Sequence, residues 1–267
     1  MPRFDDKVAL ITGGSRGIGR GIVNAFLDSG AKVFACARHV PEERAPEDPP
    51  SGEADGSAEF IEADVRDADQ VQRLIDAVLD RAGRLDILVN NAGGSPAADA
   101  ATVSPRFTEA IIRLNLLAPL LVSQKAHPAL KAAKGSIINI ASVSGIRPSP
   151  GTVAYGAAKA GLLSATASLA QEWGPEVRVN AIVAGLIKTS AEAANEHYGG
   201  EQGLAAIENK LPAKRMGTAE DIANACLYLA SDAATYVSGA SLEVFGGGEP
   251  PSFLTFAQDA LGLRPGD

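Results

Sequence analysis

Eight residues, Thr12-Gly13-Gly14-Ser15-Arg16-Gly17-Ile18-Gly19, constrain this chain more than any other stretch. The apolar run Val8-Ala9-Leu10-Ile11 precedes them, and Ile22, Val23, Ala25, Phe26 and Leu27 follow at helical spacing, so the segment predicts strand, glycine turn, helix. Glycines at 13, 17 and 19 permit a tight turn and a close approach of backbone to a ligand. The helix behind them aims unpaired N–H groups and a positive dipole end at the same point. A pyrophosphate is the ligand that such a turn suits, and a dinucleotide the molecule that carries one.

The same alternation continues along the chain. Further strands are expected at Ala31–Ala37, Glu59–Ala63, Asp86–Val89, Ser136–Ala141, Val177–Val183 and Ser241–Phe245, with helices over 67–82, 106–130, through Trp173 and over 219–230. The pattern predicts one α/β domain over residues 1–267, a Rossmann-type doubly wound sheet of seven parallel strands with helices on both faces. With 24 basic against 32 acidic residues, the net charge of -8 argues against unaided binding to nucleic acid or to anionic membrane. No apolar run approaches the roughly 20 residues of a membrane span, and Met1 to Lys7 leave no room for a signal peptide before the first strand, so a soluble cytoplasmic protein is expected. Cys36 and Cys226 fall in different elements among apolar neighbours and read as buried free thiols, and no Cys/His cluster offers a metal site. Pro41 to Glu59 contains four prolines, seven acidic residues and one basic residue, a composition that predicts an irregular, mobile loop.

Chemistry-bearing residues gather at strand ends, where open α/β sheets bind ligands. Arg38 follows the second strand, and no Asp or Glu ends it. A carboxylate there would bond the 2′-hydroxyl of a dinucleotide, whereas an arginine accommodates a 2′-phosphate, with Arg16 a second positive charge; both arginines otherwise read as solvated surface charges. Asn90-Asn91-Ala92-Gly93 ends the fourth strand and Ser142 the fifth. Thirteen residues after Ser142, Tyr155 shares a helix face with Lys159 four positions on. Such a pair is ordinary on a helix surface, but in a cleft the ammonium would draw the phenol down from its usual pKa near 10 towards a range useful for proton transfer.

Thr-Gly-x-x-x-Gly-x-Gly, Asn-Asn-Ala-Gly and the Ser142, Tyr155, Lys159 spacing together resemble the short-chain dehydrogenase/reductase family, and the resemblance runs over about residues 5 to 247. Within it the chain looks most like 3-oxoacyl-carrier-protein reductases. The resemblance implies direct hydride transfer between nicotinamide and a small carbonyl or secondary alcohol, with Tyr155 as acid/base, Ser142 on the substrate oxygen, and Asn115 completing a tetrad by holding a water. It assigns cofactor contacts to Gly13, Ser15, Arg16, Gly17, Ile18, Gly19, Arg38, Asp64, Val65, Asn91, Ala92, Gly93, Tyr155, Lys159, Gly185, Ile187 and Thr189. Arg16 and Arg38 match NADP-preferring members, so NADP(H) is expected over NAD(H). An NAD-dependent alcohol or steroid-type dehydrogenase and a dinucleotide-binding sensor without turnover are the alternatives.

Two positions depart from the family pattern: Ala184 replaces the proline of its Pro-Gly, and Phe245 the aspartate of its Asp-Gly-Gly. A substrate lid containing Glu192, His197 and Tyr198 is expected over about 186–215, with His197 read as a lid-surface residue, and residues 94–100 and 143–150 complete the cleft. The tail over about 250–267, with Phe253, Leu254, Phe256 and Leu261, is expected to seal a pocket or a neighbouring subunit. The resemblance further implies a homotetramer built through helices 106–130 and 153–173, and Lys131 and Lys134 are candidates for docking an acidic carrier.

Overall fold

A computed structural model describes residues 2–39, 58–189 and 200–249. Residues 41–57 of the expected Pro41–Glu59 loop, the expected lid residues Glu192, His197 and Tyr198, and the tail from Pro250 lie outside the described residues, while Glu59 begins a strand. Strands β1 (Val8–Thr12), β2 (Lys32–Ala37), β3 (Glu59–Glu62), β4 (Ile87–Asn90), β5 (Ser136–Ser142), β6 (Arg178–Ala184) and β9 (Ser241–Val244) form one sheet in the order β3-β2-β1-β4-β5-β6-β9. Every pairing in it is parallel, as expected. The chain winds outward from β1 to β3, then crosses back to β4 and winds the other way. The switch therefore falls between β1 and β4.

Helices α1 (Gly17–Asp28), α2 (Ala68–Ala82), α3 (Pro105–Ile112), α4 (Ala118–Ala133), α5 (Val153–Trp173), α6 (Gly200–Lys210) and α7 (Ala219–Ala230) surround the sheet. Side chains alternate along a strand, so β1 sends Ala9 and Ile11 to one face, against Phe26, Ile22 and Cys226, and Val8 and Leu10 to the other, against Leu74, Val78 and Leu130. Both faces are covered, which is why the strands read as unbroken apolar runs. Leu10 and Phe26 are fully buried and contribute about 2 kcal/mol each by removal from water.

The single helix expected over 106–130 is corrected. Between α3 and α4 the residues Arg113–Leu117 form a wider π turn, in which Ala118 N–H donates to the Arg113 carbonyl five residues back. The cause lies in two residues. Pro119 has no N–H to offer the carbonyl of Asn115, and the Asn115 side-chain amide donates to the Ile111 carbonyl at 3.0 Å. The two-residue strands β7 (Ile187–Lys188) and β8 (Gly217–Thr218) pair with each other and were not expected, being too short to show a period. β8 leads directly into α7, whose N-terminus Thr218 and Asp221 cap reciprocally.

At the opposite end of the sheet from the glycine turn, the buried Asp86 carboxylate accepts from Arg84 Nε (2.8 Å) and Nη2 (2.7 Å), Val8 N–H (3.0 Å) and Lys7 Nζ (3.3 Å). Burial alone would push this carboxyl up; the Arg84 fork, the Val8 N–H and Lys7 outweigh it and hold it below the usual range. Asp86→Asn is expected to cost about 2 kcal/mol in urea unfolding at neutral pH. Because the folded pKa is depressed, the carboxylate's contribution is complete above its unfolded pKa of about 3.9 and is lost as pH falls through the folded value. The gap between the wild type and Asp86→Asn should accordingly close in acid.

Candidate active site

The glycine turn is held by the end of β4. Thr12 Oγ1 accepts from the N–H groups of Asn91 and Ala92, each at 3.0 Å, and Asn91 Nδ2 donates back to the carbonyls of Thr12 (3.0 Å) and Gly13 (3.1 Å). From the other side, the Gly13 and Gly14 N–H groups donate to the Cys36 carbonyl of β2 at 2.8 and 3.2 Å. Gly13 has a φ of 66°, and a Cβ there would lie 2.9 Å from Ala92 Cα; one on Gly19 would overlap the Gly13 carbonyl oxygen. A side chain would fill this cradle. Arg16, extended at the N-cap of α1, makes no side-chain bond to the helix, so the first-turn N–H groups are left to a ligand. Thr189 stands against Gly17, 3.4 Å from where a Cβ would be. The arrangement fits a pyrophosphate. Ser15 and Ile18 are half-buried in the turn, and Ile18 packs against the core.

Further along the edge, Arg38 is exposed after β2 and Asp64 half-buried after β3, with Val65 buried beside them. Sequence reasoning missed Arg66, whose side chain grips the Asp64 carboxylate. The Asp-x-Arg spacing after a strand was the available signal. Arg66 foremost, opposed by burial, holds the Asp64 carboxyl below the usual range, and Arg38 adds to the effect.

The chemical end of the crevice is assembled by α5, the π turn, β5 and the residues that follow β4. Lys159, on α5, is buried to 3% exposure and donates through Nζ to the Ile140 carbonyl at 2.7 Å. Its Nζ lies 5.6 Å from the ring centroid of Tyr155, half-buried one turn earlier. Desolvation pushes the Lys159 ammonium down from its ordinary 10.5 to about 8. Asn115 faces the peptide of Gly94, accepting from its N–H and donating to its carbonyl, both at 2.9 Å. A Cβ on Gly93 would lie 2.7 Å from Asn115 Oδ1 and 3.3 Å from Lys159 Nζ, so the absence of a side chain there lets the amide and the ammonium converge. Ser142, ending β5, accepts from Ser144 N–H at 3.2 Å. Ser149, unmarked in the sequence as a polar contact, donates to Ser144 Oγ at 3.0 Å and meets Thr152 Oγ1 at 2.6 Å, which pins the 143–150 loop beside the first turn of α5.

The two departures from the family pattern lie on adjoining chain segments, at the ends of β6 and β9. Ala184 continues β6 opposite Val244, and Gly185 donates to the Val244 carbonyl at 3.0 Å with its Cα packed against Phe245. Ile187 is buried in the pairing with Gly217. Lys131 lies 3.6 Å from Glu176, so part of its charge is met within the chain, and Lys134 is the left-handed C-cap of α4. Among the described residues no group of three His, Cys, Asp or Glu could hold a metal, and no helix is long and apolar enough to cross a membrane.

Residues 13–248 match the family model described as enoyl-(acyl carrier protein) reductase. The chain is 37% identical to Protein FixR of Bradyrhizobium diazoefficiens over 258 residues, covering 92% of this chain and 88% of that one. It is 34% identical to the 3-oxoacyl-[acyl-carrier-protein] reductase FabG of Thermotoga maritima, with 92% and 98% covered. The solved ligand-free aldohexose dehydrogenase of Thermoplasma acidophilum superposes with a TM-score of 0.83 at 30% identity, over 99% of this chain and 98% of that one.

Burying Lys159 costs stability that Lys159→Met should return. A depression from 10.5 to about 8 corresponds to about 3 kcal/mol, so the variant is expected to unfold at a higher urea concentration at pH 7 while losing turnover. The gain should be complete below pH 8 and shrink from about 8 to about 10.4, where the unfolded chain keeps a proton that the folded wild type has released. Gly93→Ala, by wedging Asn115 from Lys159, is expected to lower kcat by about tenfold or more, read by steady-state kinetics.

Proposed function

The chain belongs to the short-chain dehydrogenase/reductase family of oxidoreductases, and on that premise we propose that it moves hydride between NADP(H) and a small carbonyl or secondary alcohol with Tyr155 as acid/base. The observation that carries the reading is the convergence of a buried ammonium, Lys159, with Tyr155, Asn115 and Gly93 at one end of the β1/β4 crevice. A buried cation beside a phenol has one chemical consequence, which is to favour the phenolate and so ease proton exchange at Tyr155 Oη.

The residues divide by the part of the ligand they hold. Gly13, Ser15, Gly17, Ile18, Gly19 and the N-terminus of α1 take the pyrophosphate, Asn91, Ala92 and Gly93 line the crevice, and Gly185, Ile187 and Thr189 cover the nicotinamide end. Asp64 and Val65 meet the adenine, and Arg16 and Arg38 the 2′-phosphate. Nicotinamide, when bound, supplies or accepts the hydride. Ser142 donates to the substrate oxygen, Tyr155 gives that oxygen its proton in reduction or removes it in oxidation, and Lys159 keeps the phenol acidic. Asn115 fixes the Gly94 peptide and, through the turn it occupies, the floor under Lys159.

An NAD-dependent alcohol or steroid-type dehydrogenase is the second reading. It is supported by relatives named as dehydrogenases, among them the L-fucose dehydrogenase of Mus musculus, 37% identical with 99% of this chain and 96% of that one covered. The presence of all four tetrad residues supports turnover over a sensor role. We further propose one domain, a cytoplasmic location, and a homotetramer through the 106–130 and 153–173 faces, where the apolar Leu117 and Val153 are exposed.

Following oxidation of NADPH and of NADH against ketones, diketones and 3-oxoacyl thioesters tests the reading. Turnover favouring NADPH is expected; turnover favouring NADH would move the assignment to the second reading. Tyr155→Phe is expected to lower kcat by about 10²–10⁴-fold while still binding cofactor, and full activity in that variant would remove Tyr155 from the acid/base role.

A further inference from the structure

The ends of β2 and β3 stand side by side. Ala63 N–H donates to the Ala37 carbonyl at 3.0 Å, so the next residues, Arg38 and Asp64, leave neighbouring strands together. The charge of Arg38 reaches the Asp64 carboxylate. Left to themselves the two would pair, and a guanidinium already paired with a carboxylate is a poorer partner for a phosphate.

Arg66 stands in the way of that pairing. Its Nε lies 2.9 Å from Asp64 Oδ1 and 3.1 Å from Oδ2, its Nη2 2.5 Å from Oδ2, and its own backbone N–H donates to Oδ1 at 3.0 Å. Both carboxylate oxygens are taken by a fork that lysine could not reproduce. The turn that presents the fork is fixed as well: Asp67 N–H donates to the Asp64 carbonyl at 3.0 Å, Gln70 Oε1 accepts from Asp64 N–H at 2.9 Å, and Asp67 caps α2. The Asp64–Arg66 pair is thus built into the start of α2.

We propose that Arg66 determines cofactor specificity as a positioning residue: by occupying the Asp64 carboxylate it leaves the Arg38 guanidinium to the 2′-phosphate of NADP(H). The inference deepens the NADP(H) reading above and rests on it. It also accounts for how an acidic residue at the end of β3 is compatible with a phosphate one strand away.

The test uses the ligand-free protein and two probes that differ only in the 2′-phosphate, adenosine 2′,5′-bisphosphate and 5′-AMP, titrated by calorimetry. The ratio of the two Kd values is the readout. Arg66→Leu should weaken the bisphosphate about fivefold while changing AMP less than about twofold, the size expected when a solvent-screened contact is lost. Asp64→Asn combined with Arg66→Leu should restore the wild-type ratio, because the neutral amide no longer competes for Arg38. Far-ultraviolet circular dichroism and the urea unfolding midpoint report that each variant is folded, and the Kd ratio cancels any change at Asp64 that both probes share.

If Arg66→Leu weakens both probes alike, or the double variant leaves the ratio shifted, Arg66 is a structural residue and the inference is overturned. A wild type that prefers the bisphosphate with a ratio untouched by Arg66→Leu overturns the inference and keeps the NADP(H) reading. A wild type with no preference for the bisphosphate removes the NADP(H) reading, and the inference with it.

Discussion

The contact between the glycine turn and the end of β4 is the constraint on which the rest of the molecule depends. Thr12 and Asn91 exchange hydrogen bonds across it, and Gly13 allows Ala92 to approach where a side chain would not fit. Parallel strands cannot be joined by a hairpin, so a sheet wound outward from β1 in both directions must open at its middle, above β1 and β4. The Thr12–Asn91 clamp fixes how far it opens. Every candidate residue in the site is placed by its distance along the sheet from that point: Arg38 and Asp64 on the β2 and β3 side, Ser142 and Gly185 on the β5 and β6 side.

The chemical end works against the fold that supports it. A buried ammonium whose named partner is one backbone carbonyl, Ile140, is an expensive group, and nothing in the packing of α5 requires it. The surrounding polar network shows how the chain tolerates the cost. Asn90 donates to Ser123 and Asn139, and Asn139 donates to Thr166 on the helix that carries Lys159, so β4, β5, α4 and α5 are tied together below the site. These buried amides fix the register of β5 against α5, and with it the position of the Ile140 carbonyl under Nζ.

Most of the sheet was readable in the sequence because strands buried on both faces are runs of β-branched and apolar residues bounded by glycine, asparagine or charge. The glycine turn and Asn-Asn-Ala-Gly were readable because a backbone that must come close to a ligand leaves a residue-type signature. The π turn at Asn115 was not, since its cause is a proline four residues on and a side chain reaching back, neither of which disturbs the apolar spacing of 106–130. Strands β7 and β8 were too short to carry a period. Arg66 escaped for another reason: arginines on helix starts are common, and only the pairing geometry distinguishes this one.

The π turn sets a phase. Each residue added to an α-helix rotates all later side chains by about 100°, so α3 and α4 form one rod in space and two in register. The offset lets α3 face α5 while α4 presents Val122, Ala126 and Leu130 to the sheet and to α2. Along this rod composition is free to drift so long as the apolar stripe survives, but its length is not. One residue gained or lost on either side of Asn115 would swing one half of the stripe out of the core while the other half stayed in place.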